Sequence, residues 1–114
     1  MSRARVTRGR QTEEALAAYL RDHGWPHAER RAASLPGSDV LGLPGVDVEV
    51  KATADVPLLA ALRQVEARRV TGSLPLVVWR PNGYGPSRID EWVVALQLRD
   101  AVGLLVDAGY GDPA

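Results

Sequence analysis

The stretch Gly45-Val46-Asp47-Val48-Glu49-Val50-Lys51-Ala52 decides how this chain is read. In a β-strand side chains alternate between faces, so Val46, Val48 and Val50 share one face and Asp47, Glu49 and Lys51 the other. Pro44-Gly45 supplies the turn before it. Lys51 is the only lysine; the chain otherwise carries its positive charge on thirteen arginines. Such a strand poses two questions, what covers its valine face and what its charged face is for.

The segments that follow answer the first. Asp55 is a good N-cap, Pro57 fits a first turn, and Leu58, Leu62, Val65 and Arg69 share a helical face as far as Val70, where Gly72 ends the helix. Leu74–Arg80, LPLVVWR, is a continuous apolar run of strand length, expected beside the opening strand through this helix as a crossover. Upstream, His27–Ala33 and Ser38–Leu43 flank Pro36-Gly37, and with the opening strand they predict an antiparallel meander. Leu16, Tyr19 and Leu20 repeat at helical spacing between Gln11 and His23, and Gly24 and Pro26 stop that helix. Residues 1–10, with Arg3, Arg5, Arg8 and Arg10, read as a flexible basic arm before a single domain over 11–110. Downstream, PNGYGPS is a turn, Ile89–Leu96 a returning strand, and Leu98, Val102, Leu105 and Ala108 a last helix closed by Gly109. The expected order is α-β-β-β-α-β-β-α, an α/β domain with a mixed central sheet flanked by helices.

Composition narrows the class. With 114 residues there is room for one modest core. The absence of cysteine removes disulfides and thiolate metal sites, and no apolar run reaches membrane-spanning length, so a cytoplasmic protein is expected. Net charge is zero but unevenly spread: residues 1–31 carry seven arginines against four acids, and residues 89–114 one arginine against five. The basic end is a candidate surface for a polyanion.

The charged strand face carries the chemistry. An interior strand cannot bury Asp47, Glu49 and Lys51 without partners, and a divalent cation would offset the excess of negative charge; a half-exposed strand whose polar face meets water is the other reading. Asp39 lies ten residues before Glu49, across the Pro44-Gly45 turn, and a hairpin of that length sets the two side by side. Two carboxylates with a backbone carbonyl and waters suit Mg²⁺, a hard octahedral ion. A nearby lysine can orient or deprotonate a water, or stabilise charge growing on a phosphate. Glu13 shares the inward face of the first helix with Leu16 and Leu20 and can reach the same cluster, although an acid there also complements the helix dipole. Together these residues suggest metal-dependent phosphodiester hydrolysis.

This set resembles the PD-(D/E)XK nuclease superfamily, and within it the archaeal-type Holliday junction resolvases and their phage relatives. The resemblance rests on Gly9-Arg10-Gln11-Thr12-Glu13, His23-Gly24-Trp25, Ala28-Glu29-Arg30-Arg31, Gly37-Ser38-Asp39 and Val48-Glu49-Val50-Lys51, over about residues 8 to 80. It implies a restriction-endonuclease-like fold and Mg²⁺-dependent cleavage, Mn²⁺ being an alternative, of four-way DNA junctions by a homodimer. Carried over by position, it makes Asp39, Glu49 and the Val50 carbonyl metal ligands, Lys51 the assistant of the attacking water, and Glu13 a further ligand or orienting acid. Gln64 matches an accessory glutamine of some relatives. Arg8, Arg10, Arg30, Arg31, Arg68 and Arg69 become phosphate contacts. Two departures stand out: Ser38 replaces the proline of the motif, and Asp47 occupies a position that is usually apolar. Either Asp39 or Asp47 can serve as the second ligand, and Asp39 fits the spacing better. The same resemblance admits an endonuclease acting on simple or damaged duplex, or a non-catalytic DNA-binding module.

Other features carry less. His23 and His27 are separated by Gly24 and Pro26 and do not share a helical face as a metal pair, and PNGYGPS lacks the lysine of a phosphate-binding loop. Three tryptophans are too few for a sugar cleft, which disfavours a glycosidase.

Overall fold

The structure, a computed structural model, describes residues 3–32, 37–55 and 57–112. Its elements are α1 (Arg3–Arg21), β1 (Glu29–Arg30), β2 (Val40–Leu41), β3 (Val46–Lys51), α2 (Leu58–Glu66), β4 (Leu74–Trp79), a 3₁₀ helix (Pro86–Glu91), β5 (Val93–Ala95) and α3 (Leu98–Asp107). The expected α/β class with a mixed sheet holds: β3 and β4 are parallel neighbours joined by α2, and β5 pairs antiparallel with β4. Register pairs Glu49 with Val77 and Lys51 with Trp79.

Alternation on these strands makes two cores. Val48 and Val78 face α1, where Leu16, Ala17, Ala28, Val40 and Trp92 complete the larger cluster. Val77 points the opposite way, into a small cluster with Ala61 and Val65 of α2. Glu49 lies beside Val77 and therefore also faces α2. Full burial of Val65 and Val77 contributes about 1.5–3 kcal/mol each, enough to hold the crossover on the sheet.

The structure departs from the expected elements in four places. First, α1 begins at Arg3 and not at Gln11, so the arginine-rich arm, from Arg3 on, is helix. Arginine is a good helix former, and the extension is tied down where Arg8 Nε donates to the Ala52 carbonyl. Second, β1 and β2 form a two-stranded sheet of their own, and β3 does not extend their ladder. The link is instead made by the residues just before β2: the Asp39 amide donates to the Val48 carbonyl at 2.8 Å, and the Val48 amide donates to Ser38 Oγ at 2.9 Å. Pro36 of the expected turn lies outside the described residues. Third, the returning strand shortens to Val93–Ala95, because Pro86 opens a 3₁₀ helix that carries Ile89 and Trp92 onto the large core. Fourth, the second helix stops at Glu66, so Arg68 and Arg69 sit on the turn beyond it.

Gly42 makes the docking of β2 possible. It sits at φ +84°, and a Cβ there would fall 2.1 Å from the His27 carbonyl oxygen. Only glycine allows this approach, which sets the position of Asp39 three residues earlier.

Candidate functional site

Asp39 is fixed from both sides. Its Oδ2 accepts the Val50 amide at 2.7 Å, and its Oδ1 accepts Arg31 Nη2 at 3.1 Å. Arg31 is in turn held by the Ser38 carbonyl at 2.7 Å. The expected placement of Asp39 beside the Glu49–Lys51 segment is thus present, through a side-chain cap on the β3 edge and not through a continuous hairpin.

Glu49 is 6% exposed, and its two oxygens are shared: Oε1 with Arg68 Nη1 at 3.0 Å, Oε2 with Lys51 Nζ at 3.4 Å. Lys51 Nζ also lies 3.4 Å from Gln64 Oε1 on α2, where the resemblance placed an accessory glutamine. Glu13 comes from α1. Burial pushes its carboxyl pKa up, the charge of Asp39 adds to this, Arg30 and Arg31 pull it down, and Glu49 raises it further. Those couplings put Glu13 within the electrostatic field of the same acids.

Asp47 answers to Arg68. The guanidinium makes a two-pronged contact with it, Nε to Oδ2 at 2.8 Å and Nη2 to Oδ1 at 2.7 Å, while its third nitrogen holds Glu49. The hydrogen bonds to Asp47 lead the rise of the Arg68 pKa, with burial opposing and Glu49 adding. The acid that departs from the pattern of the resemblance is therefore the anchor of an arginine, and the excess negative charge expected on this face is offset by Arg68 and Lys51, as Arg31 offsets Asp39. Charge balance alone does not call for a cation.

The other arginines separate. Arg30 lies 3.6 Å from Glu14 and belongs to the surroundings of Glu13. Arg69 turns away to Glu66 and Asp100, tying α2 to α3. Arg8 packs at the end of β3 with its Nη2 enclosed and unpaired, and Arg10 is exposed on α1. Sequence reading missed Arg80, which is 7% exposed and donates to Tyr84 O, Gln11 Oε1 and Thr12 Oγ1, all neutral acceptors. Burial lowers its pKa, and Arg8 lowers it further. An arginine closing an apolar strand gives no sign of such burial. Ser38 was missed as well, and its place where the motif has proline was the available signal.

Among the described residues no three histidine, aspartate or glutamate side chains gather closely enough to hold a metal ion. Mg²⁺ usually takes one or two carboxylates and keeps several waters, so the hard oxygen donors Asp39 and Glu49 fit it, provided Glu49 gives up Arg68. No helix among the described residues is long and apolar enough to cross a membrane. No family model, no curated protein and no solved structure matches the chain.

Proposed function

We propose that this chain is a Mg²⁺-dependent DNA endonuclease of restriction-endonuclease-like fold, acting on four-way junctions. One observation carries the reading: the Asp39 carboxylate is bonded to the peptide N–H of Val50, the residue between Glu49 and Lys51. That contact brings two acids and the only lysine to one strand edge, with Glu13 coupled to both acids.

In this reading Asp39 and Glu49, with the Val50 carbonyl, hold the cation, and Mn²⁺ serves in the same place. Bound there, the ion supplies positive charge for a phosphate oxygen and lowers the pKa of a water. Lys51 orients that water for in-line attack or steadies charge on the phosphate, while Gln64 fixes the lysine. Glu13, whose carboxyl holds its proton more tightly than usual, faces Asp39 and is suited to exchanging a proton there. Arg68, displaced from Glu49 yet still gripped by Asp47, is left to face a backbone phosphate. Arg8, Arg10, Arg30 and Arg31 extend the basic surface along DNA. Cutting opposed strands of a junction needs two sites related by a two-fold axis, hence a homodimer.

The arginine pairing favours a second reading, a DNA-binding module of the same fold without catalysis, in which Arg68 and Lys51 permanently neutralise Asp47 and Glu49. Incubation of a labelled four-way junction and a matched duplex with Mg²⁺ or EDTA, alongside Lys51→Ala and Asp39→Asn, separates the two. Symmetric Mg²⁺-dependent cutting that both substitutions abolish supports the junction nuclease. Equal cutting of simple duplex moves the substrate to linear or damaged DNA, and binding without cutting leaves the module.

A further inference from the structure

We infer that the apolar groove on the α1 side of the sheet receives α3 of a second copy of this chain, in a reciprocal dimer. The groove encloses about 550 Å³ and opens directly onto the large core. Leu43, Leu74, Leu76, Val94 and Leu104 line it, and among the described residues Asp90 is the only charged one that does. The main core is thus left partly uncovered, an expensive arrangement for a chain this short.

Beside the groove, α3 is mounted the wrong way round for an ordinary surface helix. Asp100, its side chain 10% exposed, is pinned by Arg69 at 3.1 Å, and Arg99, itself largely exposed, reaches Glu66 at 2.7 Å, so the helix is tied to the body of the protein through its polar side. Its apolar residues face water: Leu98 is 79% exposed and Val106 62%, and no residue of α3 is buried. A surface helix normally does the reverse. Next to it, β5 pairs on one side only, among the described residues, and leaves Val94 53% exposed.

Three features select a second copy as the occupant. The chain's own α3 is held by ion pairs to α2, on the opposite face of the sheet, and by the short Leu96-Gln97 link, so that only Leu104 of the helix reaches the groove wall. Helix and groove lie next to each other and share Leu104, the geometry in which a two-fold rotation satisfies both surfaces at once. The exposed apolar side chains of α3 and β5 offer on the order of 600 Å² per copy before the groove walls are counted, the lower end of a standard stable interface and at the upper end of what a monomer usually leaves to water. The inference gives the homodimer of the proposed function its surface, and it is separable from the proposed chemistry, since none of these residues belongs to the acid and lysine cluster.

Sedimentation equilibrium of the full chain tests it, with Leu105→Asp and Val102→Asp as variants. Both positions are about half exposed, so the fold tolerates the change, which circular dichroism verifies. The expected result is a dimer of the parent protein at micromolar concentration and at least about tenfold weaker association for each variant. A mixed sample of ¹³C-labelled and unlabelled chains should show intermolecular contacts between α3 methyls and the groove. This second measurement stands even if a variant misfolds. A monomer at about 100 µM, a dimer indifferent to both substitutions, or α3–groove contacts confined to one chain overturns the inference. A monomer that still cuts duplex DNA with Mg²⁺ refutes the interface and leaves the nuclease chemistry; a dimer that cuts neither duplex nor junction does the opposite.

Discussion

Replacing Arg68 by methionine tests the central electrostatic claim. The substitution keeps most of the aliphatic stem and removes the cation that holds Asp47 through two hydrogen bonds and Glu49 through one. Removing one partner of a fully buried pair costs about 3–5 kcal/mol, and an exposed pair is worth about 0–1. Here the Arg68 side chain is 26% exposed against 17% for Asp47 and 8% for Glu49, so solvent screens the arginine more than the acids it leaves behind. An intermediate loss of about 2 kcal/mol follows, equivalent to a fall of about 8 °C in Tm for a chain of this length. Asp47→Leu in the same background should recover part of it, because the stranded carboxylate is then gone. Urea unfolding of the two single variants and the double variant gives the coupling directly. Under the proposed function Arg68 also competes with Mg²⁺ for Glu49, so added Mg²⁺ should raise the Tm of Arg68→Met more than that of the parent. A loss below about 0.5 kcal/mol with no coupling to Asp47 would mean that the contact is an ordinary solvated ion pair, and the account of Asp47 would fall.

Two further outcomes follow from the same geometry. Gly42→Ala places a methyl against the His27 carbonyl and forces a residue with a Cβ to φ +84°; a loss of about 2–3 kcal/mol is expected in urea unfolding, with the Arg31–Asp39 region perturbed first in amide exchange. Glu13 has a folded pKa above its unfolded value, so its contribution to stability is complete below the unfolded pKa and disappears as pH rises through the folded one. Glu13→Gln should therefore stabilise the protein near pH 7 and make little difference near pH 4, a change in slope read from urea midpoints across pH; equal effects at both ends would refute the rise that burial, with the charge of Asp39 added, gives the Glu13 carboxyl.

What the sequence reveals depends on how local the cause is. The valine alternation of β3 and the apolar run of β4 are each set by neighbouring residues, and both strands stand where they are expected, joined by α2. The extent of α1 was hidden because Arg8 is tied to Ala52, 44 residues away. The 3₁₀ helix was hidden behind a strand-like composition, although Pro86 and the three-residue spacing of Ile89 and Trp92 onto one core were available signs. At the site, the pairing of Asp39 with the Glu49–Lys51 segment followed from spacing, whereas the hands that hold each acid did not. Arg31 and Arg68 are legible as basic residues near a proposed nuclease centre, but sequence distance does not say that they face carboxylates.

Asp47 shows why that difference matters. A strand position packed under a helix can take an acid only if a cation comes with it, since an unpaired carboxylate at 17% exposure is costly. The cation arrives from the turn beyond α2, 21 residues later, and its spare nitrogen reaches Glu49. Asp47 and Arg68 therefore act as one unit, in which the acid fixes where the guanidinium sits and the guanidinium sets how much charge Glu49 presents. Losing Asp47 would free Arg68 to bind Glu49 with both nitrogens and so weaken cation binding there. If that is the purpose of the departure, Asp47→Asn should lower Mg²⁺ affinity although its side chain is no ligand, and an affinity unchanged from the parent would leave Asp47 a structural partner of Arg68 and nothing more.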